Sequence, residues 1–233
     1  MSKLQSCILI LFVIDIVMMG VCYMKDRETN ETVKIMESRV ELETKKSENK
    51  GKIAITFDDG PVPGYTEKLL DGLKKRKVRA SFFVTGMHAK ESPDLIKRMQ
   101  DEGHLIGNHT YSHMQLTKNN EEEFIKEIRE TNVVIKEITG ETPTYVRPPY
   151  GLWNKKCEEE LNMFRVMWTV DPRDWCTMNA DKVFCRVVDK VQENDIILMH
   201  DGYDSSILAA LEIIDKLQDE GYDFVTVDEI LFD

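Results

Sequence analysis

From Lys52 to Val227 short β-rich runs alternate with helical runs, and that alternation confines the chain to a parallel sheet with crossover helices. Lys52–Phe57, Ala80–Val84, Leu105-Ile106, Val166–Val170, Asp195–Met199 and Phe224–Val227 read as strands. Thr66–Arg76, Pro93–Glu102, Glu121–Thr139, Ala180–Gln192 and Ser205–Glu220 read as helices. The strongest of these is Glu121–Thr139, where Phe124, Ile125, Ile128, Val133, Ile135 and Ile138 recur before the helix-stopping Gly140. A sheet of this kind is either open or closed into a barrel. In both cases the chemistry belongs where strands end and loops begin.

The residues ahead of the alternation are of another kind. Cys7–Met24 is apolar except for Asp15; at ~1.5 Å per residue a helix of ~18 residues reaches ~27 Å, enough for a thin hydrocarbon layer. Residues 1–24 therefore read as a signal anchor that stays or a signal peptide that is removed. Residues 25–50 are a charged spacer of balanced sign, helical stalk or disordered. Residues 51–233 form the remaining domain, within the usual single-domain size. The expected location is the cell membrane with the domain outside, or secreted.

Composition removes several classes. With 31 Lys+Arg against 42 Asp+Glu and a net charge of −11, the chain lacks the basic footprint of a nonspecific nucleic-acid binder. At 42% hydrophobic and 31% charged, it is neither collagen-like nor a polytopic membrane protein. Three cysteines, Cys157, Cys176 and Cys185, fall in the domain without a Cys-x-x-Cys, which argues against a zinc–cysteine site and leaves a Cys176–Cys185 bridge open. His88 and His104 stand apart from any motif and read as structural or surface residues.

Five strings lie at the predicted strand ends. Thr56-Phe57-Asp58-Asp59-Gly60-Pro61 places adjacent carboxylates in a turn, where one can bind a cation while the other takes a proton. His109-Thr110-Tyr111-Ser112-His113 holds two imidazoles four residues apart, which one helical turn would bring to the same side. With one carboxylate they make a 2-His-1-carboxylate set with open positions. Arg147-Pro148-Pro149-Tyr150-Gly151 sets a permanent cation on a stiff backbone. Asp171-Pro172-Arg173-Asp174-Trp175 supplies two carboxylates and an indole, and Ile196–Asp201 ends a strand on His200, a residue suited to general acid catalysis. Each string alone also has a structural reading as a turn, loop or hydrogen-bonded strand end.

In this order the five strings resemble the polysaccharide deacetylase family, the NodB-homology domain of carbohydrate esterase family 4. The resemblance runs from about Lys52 to Val227 and implies an incomplete (β/α) barrel of about seven strands. It implies Asp58 as catalytic base, Asp59, His109 and His113 as metal ligands, Arg147 as the residue that orients the base, and His200 as general acid. Tyr150 would offer its backbone amide to the oxyanion, and Asp174 would position the Arg or tune His200. Trp175 and Leu198 would wall the pocket for the acetyl methyl.

The cofactor so implied is one divalent ion, zinc first, with cobalt, manganese, nickel or iron also compatible with these ligands. The implied reaction is hydrolytic removal of acetyl from N-acetylglucosamine units of a cell-wall glycan, peptidoglycan above all. Chitin oligosaccharides, N-acetylmuramic acid, an exopolysaccharide and acetyl xylan are the alternatives, and an inactive wall-binding module is the reading from another class.

Overall fold

The computed structural model describes residues 49–232, so the apolar segment and nearly all of the charged spacer lie outside the described residues. Strand β1 (Gly51–Asp58) is buried from Ile53 onward on both faces, as a central parallel strand must be when helices cover both sides. β2 (Ser81–Val84), β3 (Leu105–Asn108), β4 (Tyr145–Val146) and β5 (Phe164–Arg165) follow on one side of it, and β6 (Ile196–His200) lies on the other. β7 (Tyr222–Phe224) pairs with the first residues of β1. Every pairing is parallel.

The register aligns the strand ends. Asp58 pairs with His200 and with Phe83, Val84 with Asn108, and Asn108 with Val146. Asp58, Asp59, His109, Arg147 and His200 therefore emerge at one rim, although they are spread over most of the domain's sequence.

Helices α1 (Thr66–Arg76), α2 (Gly86–Glu91), α3 (Pro93–Asp101) and α4 (Glu121–Thr139) link or flank the first strands. The short α5 (Lys155–Glu160) and α6 (Asp174–Thr177), then α7 (Ala180–Val188), α8 (Asp204–Asp219) and α9 (Val227–Leu231), complete the order. The main core joins Ile53, Ile55 and Phe57 of β1 to Leu69, Leu70 and Leu73 of α1 and to Ile213, Ile214 and Leu217 of α8. Three acidic residues open α4 and Gly140 closes it at φ 83°, matching the helix dipole and the left-handed C-cap.

Several elements depart from the sequence expectation. No continuous strand forms over Val166–Val170: β5 pairs with β4 just before it, at Phe164 and Arg165, and the chain then crosses to β6. There the Thr169 and Val170 amides donate to the Ile196 carbonyl at 2.9 and 3.2 Å. This crossing draws the incomplete barrel towards closure. The last strand ends at Phe224, and Val227 begins a helix with a Thr226–Glu229 capping box. The α7 helix stops at Val188 rather than Gln192. Cys157, Cys176 and Cys185 are free thiols, so no Cys176–Cys185 bridge forms.

Candidate active site

Asp58 ends β1 and is almost wholly buried. Its Oδ1 accepts from Arg147 Nη1 at 2.7 Å, while its Oδ2 faces His109 Nε2 at 3.8 Å. Arg147 has no exposed surface. Its guanidinium also donates to Thr56 Oγ1 at 2.6 Å and to the Val166 and Met167 carbonyls at 3.3 and 3.2 Å, and it lies 4.1 Å from the centre of the Phe83 ring. A planar fork with several donors meets these acceptors from one position; an ammonium would not. The result is a carboxylate held by one oxygen, with the other turned to the site.

The neighbouring residue faces the other way. Asp59 leaves the strand at φ 76°, and its Oδ1 lies 3.3 Å from both His109 Nε2 and His113 Nε2. Burial would raise its pKa, but His109, His200 and His113 outweigh this and hold it at about 2, so the group is an anion. The Nδ1 of His109 lies 2.6 Å from the Arg147 carbonyl. A carbonyl only accepts, so that nitrogen carries the proton, and in the neutral ring Nε2 is the nitrogen that presents a lone pair. Asp59 Oδ1 is buried and accepts no hydrogen bond. Two imidazole nitrogens and an unpartnered anionic oxygen, all within 4.8 Å of one another, fit a divalent cation.

The imidazole pair does not sit on a helical turn, as its spacing suggested. Residues 109–113 form a loop with Thr110 at φ 62° and His113 at φ 59°, which brings the ring centroids to 5.0 Å. Two side chains tie this loop down. Asn108 Oδ1 accepts from the Thr110 amide at 2.8 Å, and Glu127 of α4 accepts from the Tyr111 and Ser112 amides and from Ser112 Oγ at 3.2, 3.0 and 2.6 Å. Burial lowers the pKa of His113, with Asp59 opposing.

On the far side of the cleft, Asp174 accepts from His200 twice, from Nδ1 at 2.9 Å and from the backbone amide at 2.8 Å. Of the two roles the resemblance left open for Asp174, the contacts are those to His200. Burial works against the imidazolium, yet the Asp174 hydrogen bond and charge, with Asp58 and Asp59 beyond, push His200 up to about 9. Its Nε2 points across at 4.0 Å to Asp59.

Asp58, Asp59, His109, His113 and His200 line a cleft of about 320 Å³ together with Tyr150, Trp175 and Leu198, while Arg147 and Asp174 stand behind its wall. Tyr150 sits at φ 59°, its ring edge-on to His113 with centroids 5.0 Å apart. Trp175 is half-exposed at the mouth and Leu198 is buried in the wall. A larger groove of about 760 Å³, beside Val133 and Val134 of α4, contains none of these residues.

Comparison with known proteins agrees with this geometry. Residues 45–166 match the family model for polysaccharide deacetylases. Over 182 residues the chain is 43% identical to a peptidoglycan-N-acetylmuramic acid deacetylase, PdaC, of Bacillus subtilis, covering 78% of this chain and 39% of that one. It is 39% identical to a peptidoglycan-N-acetylglucosamine deacetylase, PgdA, of Listeria monocytogenes, covering 81% of this chain and 40% of that one. The solved structure of the Bacillus subtilis PdaC superposes with a TM-score of 0.76, over 78% of this chain and 90% of the solved one.

The chain belongs to the polysaccharide deacetylase family. It spans about two-fifths of the length of these two curated relatives. The wall of this polysaccharide deacetylase domain's cleft also includes Pro148 and Asp171, which the third and fourth strings contain without an assigned role, and Trp168 and Tyr203, which lie outside all five strings. Trp168 fell inside an expected strand and Tyr203 just past the fifth string, so neither carried a signal of its own. Thr56 opens the first string but had no role assigned there; it accepts from Arg147 and donates to the Ile197 carbonyl at 2.7 Å.

Proposed function

We propose that this polysaccharide deacetylase domain hydrolyses the N-acetyl group of glucosamine units in peptidoglycan, yielding acetate and a free amine. The observation that carries the reading is the convergence, in one cleft, of an Arg147-held Asp58, the Asp59–His109–His113 cluster and an Asp174-braced His200.

Asp59, His109 and His113 would hold one divalent ion, zinc being the first choice for this ligand set. Such an ion, when bound, polarises a carbonyl and lowers the pKa of water. Asp58 accepts the proton of the attacking water through the oxygen that Arg147 leaves free. The Tyr150 amide donates to the oxyanion that develops on the acetyl carbonyl. Trp175 and Leu198 enclose the methyl group. His200 Nε2 gives its proton to the sugar nitrogen as the C–N bond breaks, and Asp174 keeps the imidazole charged and oriented until then.

N-acetylmuramic acid is the second reading, favoured by the 43% identity to the Bacillus subtilis relative. The apolar run at residues 7–24 supports a place on the outer face of the cell membrane or in the exterior, beside a wall glycan. Acetate release by the full chain from peptidoglycan, glycol chitin and acetyl xylan, with and without chelator, tests the reading. Chelator-sensitive release, fastest from peptidoglycan, is expected; a chelator-insensitive rate would overturn the metal-centred site, and no release with metal bound would favour a binding module.

A further inference from the structure

We propose that His88 is a positioning residue of the metal centre, fixing the backbone of Asp59 so that its carboxylate meets His109 and His113. The proposal rests on the reading of those three residues as ligands. Asp59 is a non-glycine residue at φ 76°, in the left-handed region where a side chain is disfavoured, so surrounding structure must hold it there. Three donors reach this turn. His88 Nδ1 lies 2.7 Å from the Asp59 carbonyl, Thr85 Oγ1 donates to the same oxygen at 3.3 Å, and the Thr85 amide donates to the Gly60 carbonyl at 3.2 Å. Because a carbonyl can only accept, Nδ1 of His88 bears the proton. Behind the turn there is no slack, since a Cβ on Gly60 would overlap the buried Asp201 carboxylate.

The same short stretch holds the other ligand loop. The amides of Gly86 and Met87 donate to the carbonyls of Thr110 and Tyr111 at 2.9 and 3.0 Å, between His109 and His113. Residues 85–88 thus join the carboxylate loop to the imidazole loop and set the distance between the ligands. Most of these bonds are main-chain bonds that any residue could make. Two need a particular side chain, those from His88 and Thr85 to the Asp59 carbonyl, and the His88 bond is the shorter. His88 is half-buried and does not line the cleft, so it acts through Asp59 and not on substrate.

Partners behind metal ligands typically change affinity by about 10–100-fold when removed, and that is the effect expected here. The test is zinc affinity by chelator competition on the full chain, for wild type, His88→Ala, His88→Asn, His88→Gln and Asp59→Ala, with the cobalt absorption spectrum as a second readout. His88→Ala should bind about tenfold or more weakly with an altered cobalt spectrum. His88→Asn, whose amide nitrogen can stand where Nδ1 stands, should recover most of the affinity, and His88→Gln, with its donor one bond further out, should not. Thermal unfolding of the metal-free proteins separates binding from scaffold. If His88→Ala loses thermal stability but binds zinc as wild type does, while Asp59→Ala does not bind, the role of His88 is refuted alone. If Asp59→Ala binds as tightly as wild type, the ligand reading itself falls, and the proposal with it.

Discussion

Arg147 is the residue on which most of the site's order depends, because one buried cation serves Asp58, Thr56 and two carbonyls at once. Truncating one partner of a buried pair leaves the other charge uncompensated, at a typical cost of about 3–5 kcal/mol. Arg147→Ala should lower the unfolding free energy by about that amount in urea titrations; a loss under ~1 kcal/mol would contradict the burial on which the account relies. His104 offers a second test, through pH. Its Nδ1 accepts from the Ala80 amide at 3.0 Å and its ring lies edge-on to Phe82. Burial pushes its pKa down from 6.5 to about 4, and the charge of Glu102 opposes only part of this. The folded protein therefore disfavours the proton that the unfolded chain accepts. The stability is fully present above pH 6.5 and drains away as pH falls towards 4, by on the order of 3 kcal/mol. His104→Asn keeps an acceptor for Ala80 and cannot titrate, so its unfolding free energy should fall less than that of wild type between pH 7 and 4.5. Equal slopes would refute the assignment. The same residue marks where sequence reading stops: nothing around His104 or His88 showed that one ring is wedged in the core and the other bonded to the Asp59 carbonyl, because both partners are tertiary.

Helix α4 shows how far periodicity carries. Its bounds, Glu121–Thr139, follow from the apolar spacing and Gly140, and Phe124, Ile125, Ile128 and Ile135 are buried as that spacing requires. Val133 is not; it lies half a turn from the Ile128–Ile135 stripe and is 54% exposed. Ile128→Ala should cost about 2–5 kcal/mol and Val133→Ala no more than ~0.5 kcal/mol, read from urea midpoints. Comparable losses at both positions would mean that the helix is rotated from the face described. Strands β4 and β5 escaped notice for a different reason. Two residues are too few to show a period of two, and they are strands only because β4 pairs with β3 and β5 in turn with β4. The His109–His113 loop likewise looked helical by spacing, whereas two left-handed residues and the Glu127 carboxylate shape it.

At the scale of the molecule, parallel topology is what gathers the scattered strings. Strand–helix alternation was legible along most of the domain, and it dictated that Asp58, His109 and His200 share a rim; Arg147 joins them from the unread strand β4, and the roles of the set came from the order of the five strings. What alternation could not supply was the part of the cleft wall made by Trp168, because the segment after β5 leaves β4 and joins β6 before reaching it, and by Tyr203, which follows the fifth string. The rim also concentrates charge, with Asp58 and Asp59 facing three imidazoles across a few ångströms. The division of labour between the two adjacent carboxylates is therefore the central claim, and one comparison tests it directly. Acetate release from peptidoglycan and bound divalent metal are measured on the same samples of wild type and Asp58→Asn, the variant keeping an oxygen for Arg147. The account predicts equal metal content and a rate lowered at least ~100-fold, as for loss of a general base. Near-wild-type release, or loss of the metal along with the rate, would contradict it.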